Sequence, residues 1–385
     1  MTPTAAISEV SLVNPKPTKT LADDDAVAFV GMADLDDTTA VAADVELRAY
    51  RDVAKGYTPF EYGDILLAKI TPCFENMKIG QARTSTELAW GSTEFHVMRP
   101  KDGVLDNRYL LHFLRQPWVL ELGELRMTGS AGQRRVPERF LDELEIPLPP
   151  IEEQRRIAAV LDAADRLQSK RRQAITKLET LSTSLVSENL AGYTEREPLG
   201  DHLVFVTSGS RGWAKYYSES GSRFIRSQDV LMGSIDDEDP AFVTPPDNSE
   251  STRTAIRTGD LLITITGIVG RVAAAPPELD NAFISQHVSI ARPSSTLRPA
   301  FAEAFMNSHE GQIQLERVQY GQTKPGLNLT QIREFRLPVP RLAQQDVLLG
   351  KLNRLRCESQ RQRRSEVELD TLFASLQQRA FQGEL

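Results

Sequence analysis

The chain has 385 residues, of which 40% are hydrophobic and 25% charged, as expected for a globular protein with two or three domains. The formal net charge of −8 weighs against nucleic-acid binding, although affinity for DNA depends on local charge rather than on the sum. Two widely separated cysteines, outside any CxxC spacing, exclude a disulfide framework and argue against a zinc site.

Residues 1–149 are predicted to form a mixed α/β domain. The first residues lack the basic and apolar regions of a secretory signal, and the longest apolar run of the chain, residues 261–270, is too short to span a membrane. We therefore expect a cytoplasmic protein. Short apolar stretches at residues 64–70 and 93–98 predict strands, and residues 107–115 predict a helix. The pattern favours a curved, mostly antiparallel sheet.

Residues 150–192 are predicted to form one long helix. A proline-rich stretch precedes it, and Glu152 and Glu153 suit the positive end of its dipole. Neither Pro nor Gly interrupts residues 151–191, which span about 60 Å in a helix. Apolar positions recur every seven residues along two lines. These are Ile157, Ala164, Arg171, Leu178 and Leu185 on the first line and Val160, Leu167, Ala174 and Leu181 on the second.

Residues 193–340 and 341–385 repeat this order as a second mixed α/β domain and a second long helix. Residues 260–265 and 287–291 predict strands, and residues 300–307 predict a short helix. The second long helix continues the seven-residue pattern at Leu348, Leu355, Gln362, Leu369, Leu372 and Leu376.

The two halves are copies of one module. Residues 63–67 (GDILL) match residues 259–263 (GDLLI) at an offset of 196, whereas the proline-rich stretches and the helices match at a constant 191. Aligned pairs along the helices are Gln154 with Gln345, Leu161 with Leu352, Leu178 with Leu369 and Gly192 with Gly383. The constant offset indicates that the helices have tolerated no insertions, whereas the loops of the folded halves have.

A strict seven-residue repeat indicates a helix that packs on another helix. Each helix is longer than its own domain is wide, so its own domain cannot bury the whole apolar line. We therefore expect the other long helix, running antiparallel, to be its partner. The alternative is two independent helices that each dimerise with another molecule. Arg171 and Gln362 are equivalent polar positions in this seam, and we expect both near the centre of the pair, where polar residues set register at a cost in stability.

Two variable domains, each followed by a helix that opens with a proline-rich Glu/Gln element, resemble the specificity subunits of Type I restriction-modification systems. The similarity rests on the two Gly-Asp motifs, on residues 146–157 (IPLPPIEEQRRI) and on residues 337–345 (LPVPRLAQQ), and it covers essentially the whole chain. One departure is the start of the second helix, where residues 343–345 (AQQ) replace residues 152–154 (EEQ).

The resemblance implies an α+β chain in which two tandem target-recognition domains are joined by two long helices, an antiparallel coiled coil with a pseudo-twofold internal repeat. Each domain would read one half of a bipartite site in double-stranded DNA. The helices would set the spacing and dock two methyltransferase subunits, which methylate adenine N6 with S-adenosylmethionine. A motor-endonuclease restriction subunit is a further expected partner. The chain itself would be no enzyme and would hold no cofactor or metal.

The residues agree with a non-catalytic chain. The sequence contains no Asn/Asp-Pro-Pro-Tyr/Phe methylation element, no glycine-rich cofactor loop after a strand and no GxxxxGK[ST] motif. The five histidines are scattered without the spacing of metal ligands.

Polar and basic residues in loops beside glycine are the candidates for DNA contacts, because such side chains bind phosphates and base edges. The strongest segment is residues 128–135, where small residues let the backbone approach DNA and two arginines can make bidentate bonds. In the first half the candidates are Lys69, Thr71, Asn76, Lys78, Ser130, Gln133, Arg134 and Arg135. In the second half they are Ser208, Ser210, Arg211, Lys215, Arg226, Ser227, Thr264, Thr266, Arg271, Gln322, Thr323 and Lys324.

The two sets of candidate loops differ, so we expect an asymmetric site with two different half-sequences. The sequence identifies neither those half-sequences nor the spacer length. Two alternative functions fit the same residues. The chain could serve a methylation-only system, or it could be a coiled-coil scaffold whose domains bind proteins, a hypothesis that the acidic net charge favours.

Overall fold

The computed structural model describes residues 2–17, 19–130, 132–319 and 326–385. It divides into unit 1, which comprises Met1–Ala174 and Gln362–Leu385, and unit 2, which comprises Ile175–Arg361. Each unit therefore holds one folded domain and a part of each long helix. The predicted boundaries at residues 149, 192 and 340 stay a prediction. Within the described ranges, no helix is long and apolar enough to cross a bilayer.

Unit 1 begins with short strands and helices and continues into a long helix. Its strands are β1 (Thr4–Ala6), β2 (Ser11–Val13), β3 (Ala26–Val30), β4 (Leu35–Asp36), β5 (Val41–Ala42), β6 (Glu46–Ala49), β7 (Thr58–Glu61), β8 (Ile65–Ala68), β9 (Ile79–Ala82), β10 (Leu88–Gly91), β11 (Phe95–Pro100) and β12 (Glu145–Pro147). Its helices are α1 (Ile7–Val10), α2 (Tyr50–Val53), α3 (Asn107–Leu114), α4 (Pro117–Arg126), α5 (Glu138–Glu143) and the first part of α6 (Ile151–Leu190).

The sheets of unit 1 are mostly antiparallel, as predicted. One has the strand order β2-β11-β8-β9-β5-β4, another has the order β6-β3-β10-β7, and β1 pairs with β12. The exceptions are the parallel pairs β3–β10 and β5–β9. The strands predicted at residues 64–70 and 93–98 are β8 and β11, which pair antiparallel, and the helix predicted at residues 107–115 is α3. Its apolar face is buried in the main core of the unit.

Unit 2 repeats this order after the end of α6. Its strands are β13 (Glu197–Pro198), β14 (Leu203–Ser208), β15 (Tyr217–Ser218), β16 (Ser222–Ile225), β17 (Phe242–Val243), β18 (Leu261–Thr264), β19 (Val272–Ala274), β20 (Phe283–Ile284), β21 (Val288–Pro293) and β22 (Arg336–Leu337). Its helices are α7 (Ser249–Thr254), α8 (Pro299–Met306), α9 (His309–Val318), α10 (Leu329–Glu334) and the first part of α11 (Leu342–Gln382), with 3-10 turns at Leu199–His202, Trp213–Tyr216 and Pro277–Leu279.

The sheet of unit 2 confirms the internal repeat. The order β14-β21-β18-β19 corresponds to β2-β11-β8-β9, the pair β13–β22 to β1–β12, and the parallel pair β16–β20 to β3–β10. The helices α8, α9 and α10 follow in the order of α3, α4 and α5. The predicted α+β fold with a duplicated module is therefore confirmed.

The aspartate of each Gly-Asp motif is buried and lies directly before a strand, β8 or β18. The glycines have φ angles of +93° and +85°, which favour a residue without Cβ. Asp64, which is 3% exposed, accepts hydrogen bonds from Arg99 at 2.9 and 2.7 Å. Asp260, which is 0% exposed, accepts them from Arg292 at 2.6 and 2.8 Å. A bidentate pair of this kind satisfies a charge that burial would otherwise make very costly.

The start of each long helix is tied to its domain by one buried glutamine. Gln154 donates its amide to two backbone carbonyls and accepts the N–H of Asp106 at 2.9 Å. Gln345 likewise donates to two carbonyls and accepts the N–H of Arg298 at 2.8 Å. Both glutamines are 0% exposed. The Gln that the two helix-entry sequences share therefore fixes the angle at which the chain enters the helix.

In unit 1 the beginning of α6 and the end of α11 run antiparallel. Gln168 donates to Asp370 at 2.7 Å. Arg172, which lies four residues after Gln168 on α6, donates at 3.2 Å to Glu366, which lies four residues before Asp370 on α11. In unit 2 the end of α6 meets the start of α11, where Lys351 donates to Asn189 at 2.9 Å. The two helices of one chain thus pair with each other, and the antiparallel pair that we expected is confirmed.

The two equivalent polar residues of the seam contact each other. Arg171 Nη1 donates to Gln362 Oε1, and both side chains are half-buried. Their effect on stability stays a prediction.

One of the two predicted seam lines is displaced by one residue. On the first line Ile157 and Leu348 are buried and the other members are half-buried, and its assignment as the seam stays a prediction. On the second line, Leu167, Leu181 and Leu372 are 56%, 51% and 53% exposed, and Val160 and Ala174 are half-buried. The positions turned inward are instead Leu161, Gln168, Ile175, Ser182 and Phe373.

The error arises because the seven-residue pattern assigns Leu167 to the seam instead of the neighbouring Gln168. In a helix, a residue three or four positions after the first line can complete the seam. Gln168 lies four positions after Ala164, and its partner Asp370 compensates for its burial. Leu161 takes the inward position nearer the domain because it completes the core of unit 1 together with Phe373. Contact with the domain therefore decides the rotation of the helix.

Candidate nucleic-acid interface

The end of β8 lies beside two loops of unit 1 that carry predicted DNA contacts. The N–H of Lys69 donates to the carbonyl of Glu94 at 2.8 Å, and the carbonyl of Lys69 accepts the N–H of Val136 at 2.8 Å. The N–H of Thr71 donates to the carbonyl of Arg134 at 3.0 Å. These bonds hold three segments together, which we call loop cluster 1: residues 69–71, residues 92–94, and residues 128–130 with 132–136.

Unit 2 repeats this backbone framework at the end of β18. The N–H of Ile265 donates to the carbonyl of His287 at 2.9 Å, and the carbonyl of Ile265 accepts the N–H of Leu327 at 2.9 Å. Ile265 thus corresponds to Lys69, and His287 corresponds to Glu94. We call these segments loop cluster 2: residues 265–267, 285–287 and 326–327.

The two arginines of loop cluster 1 are paired with acids. Arg135 donates to both carboxylate oxygens of Glu94, at 2.9 Å from Nε and 2.8 Å from Nη2. Arg134 donates to Glu75 at 3.1 Å. The hydrogen bonds from Arg135 hold the pKa of the Glu94 carboxyl below its usual range. Both arginine side chains remain more than 40% exposed, at 43% for Arg134 and 42% for Arg135, so the pairs lie at the surface.

The remaining candidates of the first half lie close to these pairs along the chain. Ser130, Gln133 and Asn76 are exposed, and Lys69 and Thr71 are half-buried.

Loop cluster 2 carries neutral side chains where loop cluster 1 carries charged ones. Thr266 Oγ1 and His287 Nδ1 share a hydrogen bond, and Gln286 Nε2 lies 3.0 Å from His287 Nε2. A cavity of about 330 Å³ adjoins them, with Trp213 and Phe224 in its wall. The predicted residues Ser210, Arg211, Arg226 and Ser227 line the same cavity.

Two other candidates of the second half, Ser208 and Lys215, lie within two residues along the chain of residues that line this cavity. Ser208 offers its carbonyl to Arg253 at 2.7 Å, and the same guanidinium binds Ser210 at 2.9 Å. Lys215 is exposed, with its ammonium 4.9 Å from the ring centre of Tyr216. Arg226 is bound through two donors to Asp229, which raises the pKa of this guanidinium further.

Three predicted contacts have structural partners inside their own unit instead. Lys78 donates to the carbonyl of Leu35 at 3.2 Å, and the equivalent Arg271 donates to the carbonyl of Val230 at 3.4 Å. Thr264 is 0% exposed, and its hydroxyl accepts the N–H of Arg271 at 2.9 Å. A buried hydroxyl cannot reach DNA, and the two cations hold equivalent loops in place. These three residues are corrected to structural roles.

Several known proteins are similar to this chain in sequence or in fold. The family described as Type I restriction modification DNA specificity domain matches residues 15–179. The chain is 39% identical over 227 residues to the Type I restriction enzyme EcoEI specificity subunit of Escherichia coli, which covers 59% of this chain and 36% of that protein. It is 36% identical over 219 residues to the EcoAI specificity subunit of the same organism, covering 53% and 37%. The chain is therefore similar in sequence to Type I specificity subunits.

The matches span little more than a third of the length of these two specificity subunits, 36% and 37%. One solved chain, from a study of complex assembly and conformational transition of the type I R-M system, has a TM-score of 0.63 at 18% identity and covers 100% of this chain and 98% of its own length. At this identity the likeness shows the fold alone.

Sequence reasoning missed Glu94 and His287, the acid and the imidazole at the centre of loop clusters 1 and 2. Glu94 and His287 lie directly before the equivalent strands β11 and β21, so the internal repeat could have paired them. They were not predicted because the candidates for DNA contacts were basic and polar residues in loops next to glycine. Arg253 was missed because it lies in a short helix. The candidates Gln322, Thr323 and Lys324 lie outside the described residues.

Proposed function

We propose that this chain is a Type I specificity subunit that reads an asymmetric, bipartite site in double-stranded DNA, with loop cluster 1 on one half-site and loop cluster 2 on the other. The observation that carries the proposal is one backbone framework, present twice, with different polar side chains at equivalent positions. Glu94 beside Arg135 and His287 beside Thr266 present different donors and acceptors to a groove. Two loop clusters with the same backbone framework and different polar side chains fit two different half-sequences.

The proposed contacts fall into two groups. Backbone-positioning contacts to phosphates would come from exposed or partly exposed cations, and base-edge contacts from amides, hydroxyls and paired charges. In unit 1 we propose Lys69, Thr71, Asn76, Ser130, Gln133, Arg134 and Arg135. In unit 2 we propose Ser208, Ser210, Arg211, Lys215, Arg226, Ser227 and Thr266, together with Gln322, Thr323 and Lys324 from the sequence.

The paired helices would set the unread spacer and dock two methyltransferase subunits. Support comes from the uninterrupted lengths of α6 and α11 and from the constant offset between them, because a ruler or a docking surface tolerates no insertion. The methyltransferases would bind S-adenosylmethionine and methylate adenine N6, and a restriction subunit would add cleavage. This chain would contribute recognition without catalysis, in the cytoplasm.

The negative net charge is compatible with this function, because cations and acids are distributed unevenly. Several acids pair with arginines, as Glu75 and Glu94 do in loop cluster 1. The attraction to phosphate then rests on a small number of cations, which predicts a modest salt dependence for a DNA-binding protein.

The deciding experiment uses the full chain assembled with the methyltransferase subunits of its own system. Binding to a pool of randomised duplexes should enrich two fixed half-sequences separated by a spacer of constant length, with affinity that falls as salt rises. The double variant Arg134→Ala/Arg135→Ala should lower affinity for the selected duplex about tenfold or more, because the unpaired Glu75 and Glu94 then repel phosphate.

The matched control is Arg139→Ala, an exposed arginine on α5 of the same unit, paired with Glu143. It should bind the selected duplex as the unchanged chain does. A pool that shows no enrichment at any position would contradict the proposed function and favour a protein-binding scaffold.

A further inference from the structure

The Glu94–Arg135 pair is the most firmly positioned polar group of loop cluster 1. Both carboxylate oxygens are bound by one guanidinium, and the side chains are 24% and 42% exposed. The carbonyl of Glu94 accepts the N–H of Lys69 at 2.8 Å, and Arg135 is bridged to Thr128 by backbone bonds of 2.8 and 3.0 Å. The pair is therefore held from both ends by backbone and not only by its own side chains.

The hydrogen-bonding capacity of this pair is only partly used. A carboxylate has about four acceptor sites, of which Arg135 occupies one on each oxygen. A guanidinium has five donors. In Arg135 three of them are engaged, two by Glu94 and one by the carbonyl of Gln133 at 3.3 Å. The exposed side of the pair thus presents acceptors and donors next to each other in one rigid plane.

The protonation state of Glu94 makes this surface selective. Arg135 lowers the pKa of the carboxyl, so that at neutral pH the group only accepts hydrogen bonds. In the major groove, adenine and cytosine present an exocyclic amino group, which donates, where guanine and thymine present a keto oxygen, which accepts. A carboxylate facing a keto oxygen would bring two acceptors together with no proton between them.

Resting on the proposed function, we infer that Glu94 determines specificity in the half-site read by unit 1. Its carboxylate accepts a hydrogen bond from the amino group of an adenine or a cytosine, while Arg135 orients it and donates to a neighbouring acceptor. Guanine and thymine are rejected at that position. Glu75 is the weaker candidate for this role, since Arg134 reaches it through a single bond of 3.1 Å.

Unit 2 supplies an internal comparison. The position equivalent to Glu94 is His287, whose ring nitrogens face Thr266 and Gln286. Each ring nitrogen has one hydrogen-bonding site, and both are engaged within loop cluster 2, so His287 presents no free acceptor comparable to the carboxylate and does not select amino bases. The two half-sites should therefore differ at equivalent positions, with amino bases required only in the half that unit 1 reads.

The test compares Glu94→Gln with the unchanged chain, each assembled with its methyltransferase subunits, on a pool of randomised duplexes. A glutamine has nearly the same shape but both donates and accepts. One position of one half-site should change from an amino-base preference of about tenfold or more to little preference between amino and keto bases. Glu87→Gln, which removes the partner of Lys19 elsewhere in unit 1, should leave the selected sequence unchanged.

A second measurement changes the DNA and leaves the protein intact. Replacing the selected adenine by purine, or the cytosine by its 4-deamino analogue, removes only the amino group. With the unchanged chain this should weaken binding by about the factor that Glu94→Gln causes. The two changes combined should weaken it hardly further, because both remove one hydrogen bond.

The outcomes separate the two proposals. If the unchanged chain enriches no sequence, the proposed function and this inference both fail. If it enriches a bipartite site and Glu94→Gln selects the same bases, only the inference fails. A variant that binds every duplex more weakly by the same factor would also overturn it, because Glu94 would then only hold loop cluster 1 in place. Additive losses in the combined measurement would overturn it as well.

Discussion

Units 1 and 2 have the same buried polar frame and different exposed side chains on it. Each frame contains a bidentate carboxylate–arginine pair at the Gly-Asp motif and a fully buried glutamine at the start of a long helix. Yet equivalent half-buried positions of the two loop clusters hold Glu94 in one unit and His287 in the other. A few buried hydrogen bonds therefore specify the shared backbone of the two units. The residues that face outward are then free to differ.

The two units also differ in how they hold the long helices. In unit 1, Asp162 of α6 accepts hydrogen bonds from Arg108 at 2.5 Å and His112 at 2.7 Å, both on α3. The equivalent position of α11 is Asn353. In unit 2 the corresponding attachment is an ion pair of Arg298 with Asp346, at 2.8 and 3.0 Å.

The largest effect should come from breaking the shared frame. Asp260→Ala leaves the largely buried Arg292 without its acid partner, which costs about 3–5 kcal/mol. Asp64→Ala removes the bidentate partner of Arg99, which keeps a second ion pair with Glu61 at 2.8 Å. Because Glu61 still compensates the charge of Arg99, we expect the smaller loss in Asp64→Ala. Amide hydrogen exchange, read separately for β8 and β18, should show each unit opening in its own variant only.

Asp24→Ala serves as the control for these variants. Its partner is Arg51, and both side chains are more than half exposed, so no measurable change is expected. If Asp64→Ala unfolded unit 1 while Asp260→Ala left the exchange of β18 unchanged, the expected order of the two losses would be wrong.

Most of the fold was predictable because it depends on local patterns. The Gly-Asp motif, the apolar strands that follow it and the uninterrupted helices are all visible as residue periodicity. The predictions failed where a polar residue gains a partner from a distant part of the chain. Gln168 turns inward because of Asp370, and Lys78 points at a carbonyl near residue 35 instead of at solvent. No spacing along the sequence encodes such pairs, so the candidate site was predicted less well than the fold.

The Asp162 attachment should make the stability of unit 1 depend on pH. Burial raises the pKa of Asp162, but the hydrogen bonds from His112 and Arg108 outweigh it and lower the pKa to about 2. A carboxyl whose pKa is lower in the folded state stabilises fully above the unfolded value near 3.9, and this contribution is lost as pH falls through the folded value. Asp162→Asn should therefore cost about 2 kcal/mol at pH 7 and about half of that near pH 3.

Urea unfolding of the chain between pH 7 and pH 3 measures this difference. Asp102→Asn, at an exposed position of unit 1, should match the unchanged chain throughout. A cost for Asp162→Asn that stays constant down to pH 3 would show that the carboxylate charge is not what stabilises the attachment.

The smallest effect should come from the polar pair within the helix seam. Arg171 and Gln362 contact each other at half-buried positions where the neighbouring members of the same line are apolar. A polar pair in such a seam fixes register at a cost in stability, since two polar side chains lose water for one hydrogen bond. Arg171→Leu/Gln362→Leu should therefore stabilise unit 1 by about 1 kcal/mol, which raises its Tm by about 2–4 °C.

The control must add the same apolar surface outside the seam. Lys170→Leu/Gln173→Leu changes one cation and one glutamine at exposed positions of the same helix, and should leave the Tm nearly unchanged. A gain in the control equal to that of the seam variant would assign the effect to helix propensity, since leucine favours helices wherever it lies. A lower Tm for the seam variant alone would mean that the bond between Arg171 and Gln362 stabilises the pair. Arg171 and Gln362 would then both fix the register of the helix pair and stabilise it. A polar residue in the seam of either unit would no longer indicate that stability is lost in exchange for register.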